Sequence, residues 1–465
     1  MLFSSLTFLF VFLPIVLISY YLVKPTLRNS VLLFASLFFY AWGEPTYLII
    51  MLATIAINYI GARCIEAFSQ KGLALAGTIA LDLAFLGYFK YYDFFIDNIN
   101  KLFHSNIDFI HVALPIGISF YTFQSISYLV DVYRGDVKAQ KDIYKLALYI
   151  CLFPQLIAGP IVKYHDVEEQ INDRSEDFAK FKQGVRRFII GLSKKVLIAN
   201  TLAVVVDKVY GMEIDFLSTS AAWLGAILYP LQLFFDFSGY SDMAIGLGLM
   251  FGFTFKENFN FPYISKSITE FWRRWHISLS TWFKEYLYIP LGGNRKGSKR
   301  QLANIGIVFF FTGMWHGASW NFIIWGMWHG LFNIIEKATG WNKDKDNKGL
   351  TILQHIYTLF VVMIGWIMFR ADSMSHAWRI IRRLLYIKPC EKDIYDLGYY
   401  ITTNTWYFLL IAILLSVPLL DKIPVHIKEG RISNIATNCI LVALFALCIS
   451  SLVASSYNPF IYFRF

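Results

Sequence analysis

Three observations predict an all-α, polytopic integral membrane protein with about 11 transmembrane helices and further re-entrant or interfacial helices around a central funnel. First, of 465 residues, 57% are hydrophobic and only 16% charged, with a mean hydropathy of +0.50. A soluble domain is nearer half apolar and about a quarter charged. Second, the apolar runs are long and continuous rather than short and alternating, which selects helices over a closed barrel. Third, helix breakers interrupt apolar sequence at Leu114-Pro115-Ile116-Gly117, at Phe153 to Pro160, and at Phe237-Ser238-Gly239-Tyr240-Ser241-Asp242. Irregular backbone at membrane depth is tolerated only where protein buries it or where it lines a wet cavity. Asp236 and Asp242 flank the third break and add carboxylates to apolar surroundings.

Apolar segments fall near 3–23, 30–42, 46–62, 73–90, 110–130, 144–162, 185–206, 217–236, 240–254, 302–315, 319–335, 351–369, 405–420 and 435–455. Several are shorter than the ~20 residues of a simple span, so tilted or re-entrant segments are expected among them. The amino terminus lacks a basic region before its first apolar run and shows no small-residue cleavage site, which reads as a retained helix. No internal repeat or long polar linker stands out. The chain therefore reads as one membrane-embedded domain over 1–465, with a core at 110–335 and an aromatic tail at 457–465.

Forty-two Lys and Arg against thirty-two Asp and Glu give a formal charge of +10. In a membrane protein this excess belongs to cytoplasmic loops, not to nucleic-acid binding. Lys180, Lys182, Arg186, Arg187, Lys194 and Lys195 bracket a short apolar patch and suggest an amphipathic helix at the interface. Arg379, Arg382 and Arg383 around Trp378 suggest a second. The five cysteines show no paired or metal-site spacing, so neither a structural disulfide nor a metal is expected.

The chemistry concentrates in 268–330, where the basic, aromatic stretch Phe271-Trp272-Arg273-Arg274-Trp275-His276 runs on to the apolar one around Trp315-His316-Gly317-Ala318-Ser319-Trp320. Imidazole titrates near neutral pH, and a histidine in a membrane segment is a functional hypothesis by default. His316 sits between two tryptophans, with small neighbours that would let a ligand approach the backbone. The cations Arg273, Arg274 and Lys284 should lower the pKa of His276 and favour a neutral base. His329 and His355 read as hydrogen-bonded structural histidines; His104, His111, His165, His376 and His426 read as solvated. A transporter would also carry broken helices and buried histidines, though transporters often show internal repeats.

The stretch from Phe271 to Trp282, followed by Gly313-Met314-Trp315-His316-Gly317-Ala318-Ser319-Trp320, resembles the membrane-bound O-acyltransferase (MBOAT) family, in its branch of alginate O-acetylases and peptidoglycan O-acetyltransferase membrane subunits. The resemblance extends over nearly the whole chain, including Met1 to Ser5 and Pro115 to Phe120. It implies an O-acyltransferase of a bacterial cell membrane. His316 would be the essential histidine and His276 a second family histidine toward the cytoplasm. It implies acetyl-CoA as the acyl donor; by their charge Arg273, Arg274, Arg295 and Lys296 could attract its phosphates, and topology signalling accounts for each of them equally well. Trp315, Ser319, Trp320, Gln155 and Asp242 would line the tunnel. The partners implied are membrane lipid, a polysaccharide acceptor and an extracytoplasmic acetyltransferase subunit. Tyr462, in the tail Asn458-Pro459-Phe460-Ile461-Tyr462-Phe463-Arg464-Phe465, would relay the acyl group. A teichoic acid D-alanyltransferase, fed by a carrier-protein thioester, is the alternative within the class.

Overall fold

The computed structural model describes residues 1–343, 347–386, 397–419, 431–455 and 457–459. Among these the regular structure is entirely helical, as the long apolar runs predict. Five helices are long and apolar enough to cross a membrane: α3 (Leu48–Ala67), α4 (Lys71–Phe103), α9 (Phe178–Tyr210), α15 (Lys348–Arg370) and the segment Asn434–Ala454 of α18 (Arg431–Ala454). Two shorter apolar helices, α1 (Phe8–Leu22) and α17 (Thr403–Leu415), fall below a simple span. Length and composition alone therefore do not reproduce a count of about 11.

The chain forms two compact units, one of residues 1–188 and 241–256, the other of 189–240 and 257–465. The first unit includes α1, α2 (Arg28–Gly43), α3, α4, α5 (Ile118–Arg134), α6 (Ile143–Cys151), the single turn α7 (Phe153–Leu156) and α8 (Tyr164–Asn172). Its core stacks Phe3, Phe8, Phe12, Phe39 and Phe153, with ring centroids such as Phe3–Phe8 at 4.9 Å and Phe12–Phe153 at 5.4 Å. The first two predicted breaks are real and meet each other. Gly117 takes a left-handed φ of 78°, and a side chain there would come within 2.6 Å of the Leu156 carbonyl. The irregular run 157–163 is buried throughout, which is what allows broken backbone in such a chain.

The third predicted break is absent. Residues 237–242 lie inside one continuous helix, α10 (Thr219–Met250), so 217–236 and 240–254 are a single element. Its acids are neutralised rather than exposed: Asp242 pairs with Arg187 at 2.6 Å, and Asp236 pairs with Lys195 at 2.6 Å. Packing and ion pairing outweigh the weak helix propensities of Ser238, Gly239 and Tyr240. The interfacial helix expected at 180–195 is likewise replaced by the long α9, whose ladder widens to a π-turn at Lys194–Ala199. The basic helix around Trp378 does form, as α16 (Met374–Leu385). It is capped by the Ser373 hydroxyl on the His376 N–H, with Ala377, Ile380, Ile381 and Leu384 buried and Trp378 exposed. Cys64, Cys151, Cys439 and Cys448 are free thiols.

In the second unit, α13 (Ser298–His316) and α14 (Trp320–Thr339) form a hairpin whose backbones nearly touch. A methyl group on Gly326 would come within 2.3 Å of the Phe309 carbonyl and 2.9 Å of Gly313 Cα. Gly326→Ala should therefore push the helices apart and destabilise the protein by about 1–3 kcal/mol, the cost of overpacking. A lowered unfolding midpoint in detergent is the check.

His165 is not a solvated loop histidine. Its Nδ1 lies 2.8 Å from the buried Asp131 carboxylate and its Nε2 3.3 Å from Asp166. Hydrogen bonds to Asp131 and Asp166 raise its pKa to about 9 from an ordinary 6.5. The folded state thus favours the imidazolium. The resulting stability is complete below about pH 6.5 and is lost as pH rises through about 9. Unfolding midpoints should fall between those values more steeply in the wild type than in His165→Asn.

Candidate active site

Two seven-residue helices, α11 (Ile268–Arg274) and α12 (Ile277–Phe283), meet at His276. The joint forces His276 into the left-handed region, φ 45° and ψ 55°, a conformation that strains a residue with a Cβ. The hydrogen-bond network around Asn258 holds it there. Asn258 Oδ1 accepts from the Ser278 N–H at 3.1 Å and the Ser278 hydroxyl at 2.9 Å, and lies 3.2 Å from His276 Nδ1. An acceptor oxygen opposite Nδ1 assigns the proton to that nitrogen and leaves the lone pair on Nε2. The imidazole is fully buried, and burial pushes its pKa down to about 3. The neutral base was expected, but desolvation causes it, not the charges of Arg273, Arg274 and Lys284.

His316 ends α13, where Gly317 and Ser319 run extended before α14 begins. It is 8% exposed and boxed by rings: Trp315 at 4.9 Å, Trp325 at 4.9 Å and Phe369 at 5.2 Å between centroids. Trp315 also faces His276, at 6.0 Å, so one indole separates the two imidazoles. Phe237 closes His276 from the other side at 4.7 Å. The structure thus brings His276, Trp315 and His316 into one buried aromatic cluster. Any charge that develops there meets a low dielectric.

Other predicted site residues fall elsewhere. Trp320 is 55% exposed, and Trp325 and Phe369 take its expected place beside His316. Ser319 caps α14 by position and is partly buried. The space at Gly317 is filled by the Phe322 ring, 2.3 Å from where a Cβ would stand, and so is closed to a ligand. Gln155 and Asp242 belong to the first unit, where Gln155 donates to the Tyr149 carbonyl at 2.6 Å and Asp242 holds Arg187. Tyr462 lies outside the described residues. His355 is a hydrogen-bonded structural histidine, 3.0 Å from the Ser265 carbonyl. His329 is not: neither ring nitrogen has a hydrogen-bond partner among the described residues, within a box that includes Trp272 and Trp325.

Beside this cluster lies an apolar groove of about 320 Å³, lined by Trp272, Ile305, Phe309 and Thr312 and rimmed by Arg273, Lys284 and Lys337. Ile305, Phe309, Thr312 and His316 recur at helical spacing on α13, so the groove wall continues along one face toward the histidine. Arg273 is exposed there, whereas Arg274 is committed to Glu270 at 2.8 Å and the Asn260 carbonyl at 3.1 Å. Arg295 and Lys296 are exposed in the loop before α13 and do not line the groove. Glu336 of α14, fully buried, binds the start of α11 through the N–H groups of Ile268 at 2.5 Å and Thr269 at 2.9 Å. Asn258, Trp325, Phe369 and Lys337 escaped the sequence reading. Asn258 stands in a polar loop well before His276, and only the fold reveals its role.

Residues 139–371, which include both histidines, match the MBOAT, membrane-bound O-acyltransferase family. Across its whole length, and the whole length of the relative, the chain is 42% identical to the probable alginate O-acetylase AlgI of Pseudomonas putida. It is 36% identical to the peptidoglycan O-acetyltransferase of Helicobacter pylori, over 83% of this chain and 80% of that one. Similarity to the teichoic acid D-alanyltransferase of Bacillus subtilis is 32% over 56% of this chain and 70% of that one. The chain belongs to the membrane-bound O-acyltransferase family: it is a multi-pass membrane enzyme that transfers acyl groups to oxygen.

Asn258→Leu should leave His276 without its orienting acceptor. Acyl transfer should fall by roughly 10²-fold, the lower range for losing a positioned general base, in a single-turnover assay with folding monitored by thermal unfolding.

Proposed function

We propose that the protein moves an acetyl group from acetyl-CoA on the cytoplasmic side toward an extracytoplasmic transferase that O-acetylates a cell-envelope polysaccharide. The observation that carries this reading is the pair of buried imidazoles separated by one indole, beside an apolar groove with a cationic rim. Arg273, Lys284 and Lys337 suit the phosphates of the donor, and the apolar wall suits its pantetheine arm. From Ile305 to His316 the α13 face rises about 16 Å, at about 1.5 Å per residue, a reach comparable with that arm extended.

Chemically, the acceptor hydroxyl oxygen attacks the thioester carbonyl while neutral His316 takes the hydroxyl proton. The tetrahedral oxyanion collapses, the carbon–sulfur bond breaks, and the thiolate recovers the proton from the imidazolium. His276, oriented by Asn258, is a second base in the same ring stack. Tyr462 would accept the acetyl group first and pass it outward; membrane lipid surrounds the chain, and the glycan acceptor is bound by the partner subunit. Full-length identity to a probable alginate O-acetylase supports acetyl transfer over D-alanyl transfer, since the D-alanyltransferase similarity spans only 56% of the chain.

Radiolabelled acetyl-CoA, offered to the protein in lipid together with the partner transferase, tests the reading. His316→Ala should lose about 10²–10⁴-fold in label transfer, and Tyr462→Phe should lose transfer while still binding the donor. Equal transfer by His316→Ala and wild type would remove His316 from the chemistry; turnover only with a charged carrier protein would replace the donor.

A further inference from the structure

Lys195 is the charge the catalytic reading leaves unused. It lies within α9, a helix apolar enough to span a membrane, yet it is 1% exposed and its partner Asp236 is 2% exposed. Burying an ion pair costs several kcal/mol per charge before the pair attraction is recovered, so a chain that keeps one in an apolar core invites a functional explanation. The π-turn at Lys194–Ala199 adds a residue to the helical ladder there and shifts the side-chain register. Gly239 lets α10 approach closely, since a Cβ there would stand 3.0 Å from Lys195 N.

The Lys195 ammonium does more than neutralise Asp236. It donates to Asn200 Oδ1 at 2.9 Å and also to the backbone carbonyl of Pro459. Asn200 in turn donates to Asn458 Oδ1 at 3.1 Å. About two turns beyond Asn200 along α9, Asp207 accepts from the Tyr457 hydroxyl and holds Arg370 at 2.5 Å. Three consecutive residues, Tyr457, Asn458 and Pro459, are thus each held by a polar group from one helix. An ammonium with three donors is suited to bridge a carboxylate, an amide oxygen and a carbonyl together.

We propose that Lys195, set by Asp236, is a positioning residue that clamps the C-terminal segment Tyr457–Pro459 onto α9, with Asn200 and Asp207 completing the clamp. The functional half of this proposal rests on the reading of Tyr462 as an acyl relay: a tethered tail delivers its tyrosine to one place. The structural half does not depend on it.

Hydrogen–deuterium exchange of the full chain in lipid nanodiscs separates the two. The double variant Lys195→Met/Asp236→Leu removes both charges without orphaning either, so the core should stay folded. The amides of Tyr457 and Asn458 should then exchange about tenfold faster or more, while those of α13 and α14 keep wild-type rates. Asp207→Asn should release Tyr457 to a lesser degree. Unchanged exchange of the tail in the double variant would overturn the clamp, as would equal acceleration throughout α13 and α14. Full acyl transfer by Tyr462→Phe would instead remove the relay and leave the exchange result standing. If both hold, the double variant should bind the thioester donor normally yet lose label transfer.

Discussion

The active cluster depends on how closely α13 and α14 approach. Gly313 and Gly326 bring the two backbones together, with Phe309 and Phe322 filling what remains. That approach lets Trp325, on one helix, stand against His316, at the end of the other. Phe369 of α15 closes the box from a third direction. Without a hydrophobic drive between helices in lipid, small residues at the contact are what allow backbones to pack this tightly. The histidine is placed by glycines it never touches.

Burial then sets the chemistry. An imidazole removed from water cannot easily hold a charge. His276 shows the effect, with its tautomer fixed by Asn258 and its basicity reduced by desolvation. The cations of the segment stand at the rim of the groove, in a salt bridge or in the exposed loop before α13. Charge is thus kept at the mouth of the groove and away from the buried rings.

Much of this was legible in the sequence, for identifiable reasons. The membrane class followed from composition, and the amphipathic α16 from Arg379, Arg382 and Arg383 around Trp378. Both histidines stood out because a polar ring in apolar sequence has a cost that needs a reason. Positions 237–242 misled because serine, glycine and aspartate break isolated helices; here Lys195 and Arg187 neutralise the flanking acids and α9 packs against Gly239. Lys194-Lys195 read as surface charge because nothing local reveals a π-turn. Trp320 follows an extended residue, and the turn carries its ring outward. Asn258 and the groove arise from tertiary contacts that no local pattern encodes.

The carboxylate of Glu336 carries a consequence for how the protein can move. By gripping the first amides of α11, it ties the helix that leads into His276 to the same α14 whose Trp325 packs on His316. The two imidazoles therefore travel together. A carrier that exposes its site alternately to each side must let the walls of that site part, and these walls are fastened to one another. Such a centre is built as a fixed vessel, its two imidazoles held at one separation by the same helix.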